Sequence, residues 1–233
     1  MALVMQAADT SCYAAKEAGR NRVHTWFDTD RAIKTRHGEM QWVTRLEQAL
    51  NEDRFELFGQ RIVPIGSPSA RLHLEVLLRL READGTIVPP GVFLPAAERF
   101  HLATRIDRWV VRNTFEWLES IGDAVDGIEL ISINLSGQSI GDRAFHQTLI
   151  EGIGQAGFDV GVLCFEITET AAITNMGDAQ LFIEEVRRLG AKIALDDFGV
   201  GASSFGYLKN LPVDFLKIYG QFITDLLNDT LDN

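Results

Sequence analysis

Residues 193–218 read IALDDFGVGASSFGYLKNLPVDFLKI. A β-rich apolar run at 192–195 leads into the paired aspartates Asp196 and Asp197. A Gly/Ser-rich turn and a short helical stretch carry the chain to Asn210, and a second apolar run at 213–218 holds Lys217 near its end. Outward from this stretch the same unit recurs. Residues 128–133 and 162–167 read as strands, 145–156 and 179–189 as helices, and a helix follows 218 to the end of the chain. From residue 128 onward strands and helices therefore alternate, and the strands are nearly continuous apolar runs. Such runs mark parallel strands covered on both faces by helices. A closed barrel and an open doubly wound sheet both fit. No G-x-G-x-x-G or G-x-x-x-x-G-K-[ST] follows a strand, which disfavours the nucleotide-cradling open sheets.

Upstream, 55–63 and 72–78 read as strands, the second built around a single glutamate, Glu75. Residues 88–95 form a Pro-rich loop entering a short helix, and 106–121 an amphipathic helix. In 40–50, Trp42, Val43, Leu46 and Leu50 recur at helical spacing, preceded by a polar helical connector. The first 27 residues read as a helix (2–18), stopped by Gly19, and an extended piece (21–27). That piece is too small to fold alone and reads as the tail of an upstream domain.

Of the 233 residues, 46% are hydrophobic and 24% charged, an ordinary globular balance. The formal net charge of −11 argues against binding a nucleic-acid polymer or a membrane surface, both of which need a basic face. An acidic chain still binds an anion where bound cations supply positive charge locally. The two cysteines, Cys12 and Cys164, show neither disulfide framework nor metal spacing, as expected of a reducing cytoplasm. The N-terminus lacks the apolar core of a signal peptide, and no apolar run approaches the roughly 20 residues of a membrane span. Membrane contact by this segment is not expected, although a longer parent protein is free to carry an anchor upstream. The five histidines show no ligand spacing.

The polar residues fall in a pattern. Asn134, Glu166, Glu169, Asp196, Asp197 and Lys217 stand at or just after the C-terminal ends of expected strands. In α/β barrels that rim is where active sites are built. Glu75 instead lies inside its strand, where a carboxylate is costly unless paired or metal-bound. The set is rich in oxygen and holds no histidine or cysteine, which suits hard cations such as Mg²⁺ or Mn²⁺. The adjacent Asp196 and Asp197 allow one carboxylate to bridge two ions, the arrangement used to cleave phosphodiesters. Lys217 is placed to hold or polarise the attacking water, and Arg79 offers a fork suited to a phosphate. The GVGASS run after Asp197 fits either a plain turn or, the favoured reading, a flap beside the metal ligands.

These stretches resemble the EAL-domain family of cyclic-di-GMP phosphodiesterases. The namesake E-x-L-x-R is Glu75-Val76-Leu77-Leu78-Arg79. FELFGQRIVPI (55–65) resembles the family's first strand, with Gln60 matching and Arg61 standing where the family has proline. PPGVFLPAAER (89–99), INLS (133–136), FEITET (165–170), ALDDFGVGASSFGYL (194–208) and LPVDFLKI (211–218) follow in family order, so the resemblance spans 40–233. It implies a TIM-like (β/α) barrel with an irregular first strand and an N-terminal helical connector at 28–39. It implies hydrolysis of cyclic di-GMP to linear pGpG with Mg²⁺ or Mn²⁺, two ions in all. By position, Glu75, Asn134, Glu166 and Asp196 would ligate the first metal, and Asp196 and Asp197 would serve the second. Glu75, Asp197 and Lys217 would carry catalysis, Lys217 at the attacking water. Gln60, Leu78 and Arg79 would bind the dinucleotide, and Glu169 would anchor the loop 197–205. Family members often form homodimers. Residues 7–23, AADTSCYAAKEAGRNRV, resemble the last helix and strand of a GGDEF diguanylate cyclase domain, without its signature loop. A parent protein with GGDEF and sensory domains upstream is expected.

Two departures stand out. The family's K-I-D is Lys217-Ile218-Tyr219 here, and tyrosine supplies no carboxylate. The chain also stops at Asn233, short of two further family strands that bear a second-metal glutamate. The expectation is a barrel of about six of eight strands with an open seam, weak or inactive as an enzyme on its own. Besides the enzyme, a receptor that binds cyclic di-GMP without cleaving it fits Tyr219, and a pure protein–protein module fits less well because Gln60 and Arg79 are kept.

Overall fold

The computed structural model describes residues 31–65, 71–200 and 205–225. The expected helix at 2–18 and strand at 21–27 lie outside the described residues. Helix α1 (Arg31–Asn51) joins the expected connector and the helix at 40–50 into one uninterrupted element. It docks through the fully buried Leu46 and Ala49. Trp42 meets Phe93 with ring centroids 6.1 Å apart, and Arg45 stacks its guanidinium 3.7 Å from the Trp42 ring centroid while pairing with Glu82.

Strands β1 (Phe55–Ile62) and β2 (Leu72–Arg81) run antiparallel, with Phe55 opposite Leu80 and Gln60 opposite Glu75. The two-residue β3 (Ile87–Val88) pairs with the end of β2, where a loop is expected from the sequence. Parallel strands β4 (Ile128–Leu135), β5 (Leu163–Thr168), β6 (Lys192–Phe198) and β7 (Phe215–Ile218) complete the order β1-β2-β4-β5-β6-β7. This is the wall of a TIM-like barrel with an antiparallel first strand, six strands along one path, and β1 and β7 as its two ends among the described residues. Helices α2 (Pro90–Arg99), α3 (Ala103–Ser120), α4 (Gly137–Ile140), α5 (Arg143–Gln155), α6 (Glu169–Thr174), α7 (Met176–Arg188) and α8 (Gly220–Asp225) connect and cover the strands.

Local chemistry sets the joints. Pro90 opens α2, where its missing N–H is no loss. Asp142 caps α5 by accepting the Ala144 and Phe145 N–H groups at 2.9 and 3.1 Å. Gly190, at φ +100°, turns the chain from α7 into β6.

The two sheet faces differ, because successive side chains alternate. Ile131, Ile133, Leu163, Phe165, Ile167, Ile193 and Leu195 face the helices in the main core, each 0% exposed. Each such burial contributes about 1.5–3 kcal/mol. The opposite face holds Leu130, Cys164 and Ala194, a small separate cluster, and above them the polar side chains. Leucine and isoleucine on one side and small or acidic residues on the other make one wall both a core and a site.

Candidate active site

On the concave face four adjacent strands each contribute to one point. Glu75 comes from β2, Asn134 from β4, Glu166 from β5 and Asp196 from β6. Register explains the meeting: Asn134 lies opposite Glu166 and Thr168 opposite Asp196, so these carboxylates and the amide step along the rim. Lys217 reaches in from β7. Its Nζ lies 3.3 Å from Glu75 Oε2 and 3.4 Å from Asp196 Oδ2, and it is hydrogen-bonded to Glu166 Oε2. Asn134 donates through Nδ2 to Glu75 Oε1 at 2.9 Å.

Electrostatics follow from burial. Glu166 is 2% exposed, and desolvation raises its pKa despite the Lys217 ammonium beside it. Burial alone would lower the Lys217 pKa, but Glu166, Asp196 and Glu75 together raise it, so the ammonium stays charged. Asp197 stands apart. It is exposed, sits at φ +53° beside a break in the β6–β7 register, and turns its N–H back to Asp196 Oδ1 at 2.8 Å. Left-handed backbone at a non-glycine residue is costly and concentrates at functional sites. Desolvation, then the Asp196 charge, raises the Asp197 carboxyl.

The rest of the expected set divides. Gln60, exposed on β1, lies directly opposite Glu75 and so on the same face. Arg79 lies further along that face of β2, its guanidinium 5.5 Å from the ring centroid of Phe58 and bonded to the Leu78 carbonyl at 2.8 Å. The Leu78 side chain points the other way, into the core, so only its backbone faces the site. Glu169 is 1% exposed. One oxygen accepts the Gly199 N–H at 2.9 Å and the other the Tyr207 hydroxyl, so it grips both flanks of the loop after β6. Tyr207, whose hydroxyl pKa is raised by burial and by Glu169, is missing from the sequence expectation, as is Phe58. Tyr207 and Phe58 belong to apolar runs, and only spatial closeness marks them.

Among the described residues no three His, Cys, Asp or Glu side chains form a ready-made metal cluster. The Lys217 ammonium stands where Glu75, Glu166 and Asp196 converge. Three carboxylates already gathered around a cation, with the Asn134 amide bonded to one of them, offer hard oxygen donors, so these residues fit a divalent metal such as Mg²⁺ or Mn²⁺.

The EAL domain family matches residues 43–233. The chain belongs to the EAL-domain family. Among its relatives, the Shewanella oneidensis cyclic di-GMP phosphodiesterase PdeB is 40% identical over 231 residues, 98% of this chain and 27% of that protein. The Escherichia coli cyclic di-GMP phosphodiesterase PdeF is 34% identical over 190 residues, 82% of this chain and 25% of that protein. This chain therefore spans about a quarter of the length of these relatives. Among solved structures, the FimX EAL domain of Pseudomonas aeruginosa bound to c-di-GMP superposes with a TM-score of 0.73 at 31% identity, covering 82% of this chain and 76% of that one. The EAL family match gives the sheet described above its barrel context. No described helix is long and apolar enough to cross a membrane.

Proposed function

We propose that this EAL domain hydrolyses cyclic di-GMP to linear pGpG. The observation that carries the reading is the convergence of Glu75, Glu166 and Asp196, from three strands, on one cation, with Asn134 bonded to Glu75. That constellation stands on the face that also carries Arg79 and Gln60. Relatives named for this activity support it, as does the c-di-GMP-bound FimX domain.

Glu75, Asn134, Glu166 and Asp196 would hold a first Mg²⁺ or Mn²⁺, and Asp196 with Asp197 a second. Such ions supply a water of lowered pKa and neutralise charge developing on phosphorus. The protein's own part is positioning. Lys217, tethered to three carboxylates, orients the water against the phosphodiester. The Arg79 fork holds a phosphate oxygen, and Gln60 borders the Glu75 edge. Glu169 ties Gly199 and Tyr207 together across the loop after β6, beside Asp196 and Asp197. The P–O bond to one ribose breaks, water adds to phosphorus, and the ring opens to pGpG.

The test is hydrolysis of cyclic di-GMP with and without Mn²⁺, products separated by chromatography. The expected result is pGpG with metal and none in chelator, with Glu75→Ala abolishing turnover. Binding without product selects the second reading, a receptor, which Tyr219 favours: its ring packs edge-on against Phe222 at 6.2 Å and brings no carboxylate. Residues 1–27 are proposed as the tail of a GGDEF domain, with sensory domains further upstream and homodimerisation of the parent protein. The match to PdeB, over 98% of this chain, extends into that N-terminal stretch.

A further inference from the structure

Asp107 has no part in the chemistry above, yet it is a carboxylate only 8% exposed on α3. Burial pushes its pKa up, and hydrogen bonds from Ser139 and Ser136 pull it back. Its Oδ2 accepts the Ser136 backbone N–H at 2.8 Å and the Ser139 hydroxyl at 2.6 Å. A buried carboxylate is expensive to keep, so its two donors are its means of survival and its means of action.

Those donors flank the start of α4, directly after Asn134. Ser136 caps that short helix, its Oγ accepting the Ser139 N–H at 3.3 Å. Before this point the chain is fixed by the ladder, with Asn134 opposite Glu166 and Leu135 opposite Ile167. After it the chain is fixed from another layer of the fold, by Asp107. The turn also presses on α6: a Cβ at Gly137 would stand 3.2 Å from the Ala171 Cβ. α6 opens with Glu169, the residue that grips the loop after β6. One carboxylate under the rim thus sets the height of the turn next to both the Asn134 amide and the loop anchor.

We infer that Asp107 is a positioning residue, which clamps the Ser136–Ser139 turn so that the Asn134 amide meets the Glu75 carboxylate and the metal at working distance. It acts through Asn134 and does not touch substrate. This role rests on the phosphodiesterase reading, but metal binding tests it separately.

The experiment compares Asp107→Ala, Asp107→Asn, Ser139→Ala and Leu118→Ala in the full chain. Leu118 is fully buried at the opposite end of α3, so its truncation reports lost stability alone. Two quantities are read: Mn²⁺ affinity by calorimetry without substrate, and kcat and KM for cyclic di-GMP. Asp107→Ala is expected to lower kcat roughly 10-fold or more with little change in KM, and to weaken Mn²⁺ in parallel, the scale of lost support behind a metal ligand. Asp107→Asn, which keeps an oxygen acceptor, restores much of both. Leu118→Ala leaves both near wild type. If Asp107→Ala fails to fold, Ser139→Ala carries the test, with a smaller loss in the same two readouts. Unchanged Mn²⁺ affinity and kcat in these variants, or losses no larger than those of Leu118→Ala, overturn the assignment. If the wild type cleaves no cyclic di-GMP, the phosphodiesterase reading fails and the Mn²⁺ titrations alone decide the role of Asp107.

Discussion

Lys217 holds the charge balance of the site. Three carboxylates surround it, and Glu166 among them is almost without solvent. Lys217→Met keeps the length and removes the charge. In chelator the variant is expected to lose about 2 kcal/mol by thermal or urea unfolding, because a nearly buried carboxylate is stranded; a fully buried pair would cost ~3–5 kcal/mol, and the partial exposure of the lysine discounts that. With Mn²⁺ its turnover is expected to fall about 100-fold or more, the usual worth of a group that handles the reacting water's protons. Unchanged stability in chelator together with unchanged turnover would refute both roles. At this scale much was legible. Glu75, Asn134, Glu166, Asp196 and Lys217 are polar types at strand ends or inside an apolar strand, and they lie together in the structure. Asp107 and Tyr207 were not legible, because each works across elements and its residue type is common in cores and loops.

Among the elements, α4, α5 and α7 meet at one histidine. His146, on α5, is 3% exposed; its Nε2 is bonded to the Ile140 carbonyl at 2.9 Å and its ring packs 4.9 Å from Phe182. The carbonyl can only accept, so Nε2 carries a proton, while among the described residues Nδ1 has no hydrogen-bond partner. Burial depresses its pKa, Arg143 adding to the effect and Glu185 and Asp178 opposing it. The sign follows from linkage. Between the ordinary value near 6.5 and the depressed folded value, the unfolded chain binds the proton first. Stability is therefore full above about pH 6.5 and is lost as pH falls through that window, with a slope of at most about 1.4 kcal/mol per pH unit. His146→Gln, which keeps a donor for Ile140 and does not titrate, should flatten this part of the profile in urea melts at pH 5 to 7.5. An identical slope in the variant would assign the acid sensitivity elsewhere. The elements themselves were readable wherever apolar periodicity was strong, as in α3, β4 and β5. The differences lie at their ends. β6 runs on through Asp196 and Asp197 because the ladder to β7 resumes at Phe198, while β7 starts only at Phe215, the stretch before it being tied down by Asp214 accepting the Ile193 N–H at 2.9 Å. β3, at two residues, is too short for any periodicity to register.

For the whole molecule, a net charge of −11 and an anionic dinucleotide repel unless cations intervene, so on the proposed reading a bound metal, Lys217 and Arg79 would together make binding possible. The same scale governs solubility. The sheet path ends at β7, which pairs with β6 on one side only among the described residues. Phe215, Leu216, Ile218 and the nearby Phe222 are 40%, 45%, 58% and 53% exposed. At the other end of the path Phe58 and Ile62 are 45% and 39% exposed. Two apolar strand edges on one chain can each template another copy, and charge is the usual device against it. The 233-residue chain is therefore expected to self-associate as its concentration rises, and Leu216→Lys, which places an ammonium on the β7 edge, should shift it toward monomer in light scattering. Salt separates the two forces at work. High salt screens the repulsion from the net charge and should promote association of the wild type, whereas the apolar contact that holds the copies together is not screened. A wild type that stays monomeric at high concentration and high salt would show that these edges are covered, and the exposed β7 face would then no longer account for the behaviour of the chain.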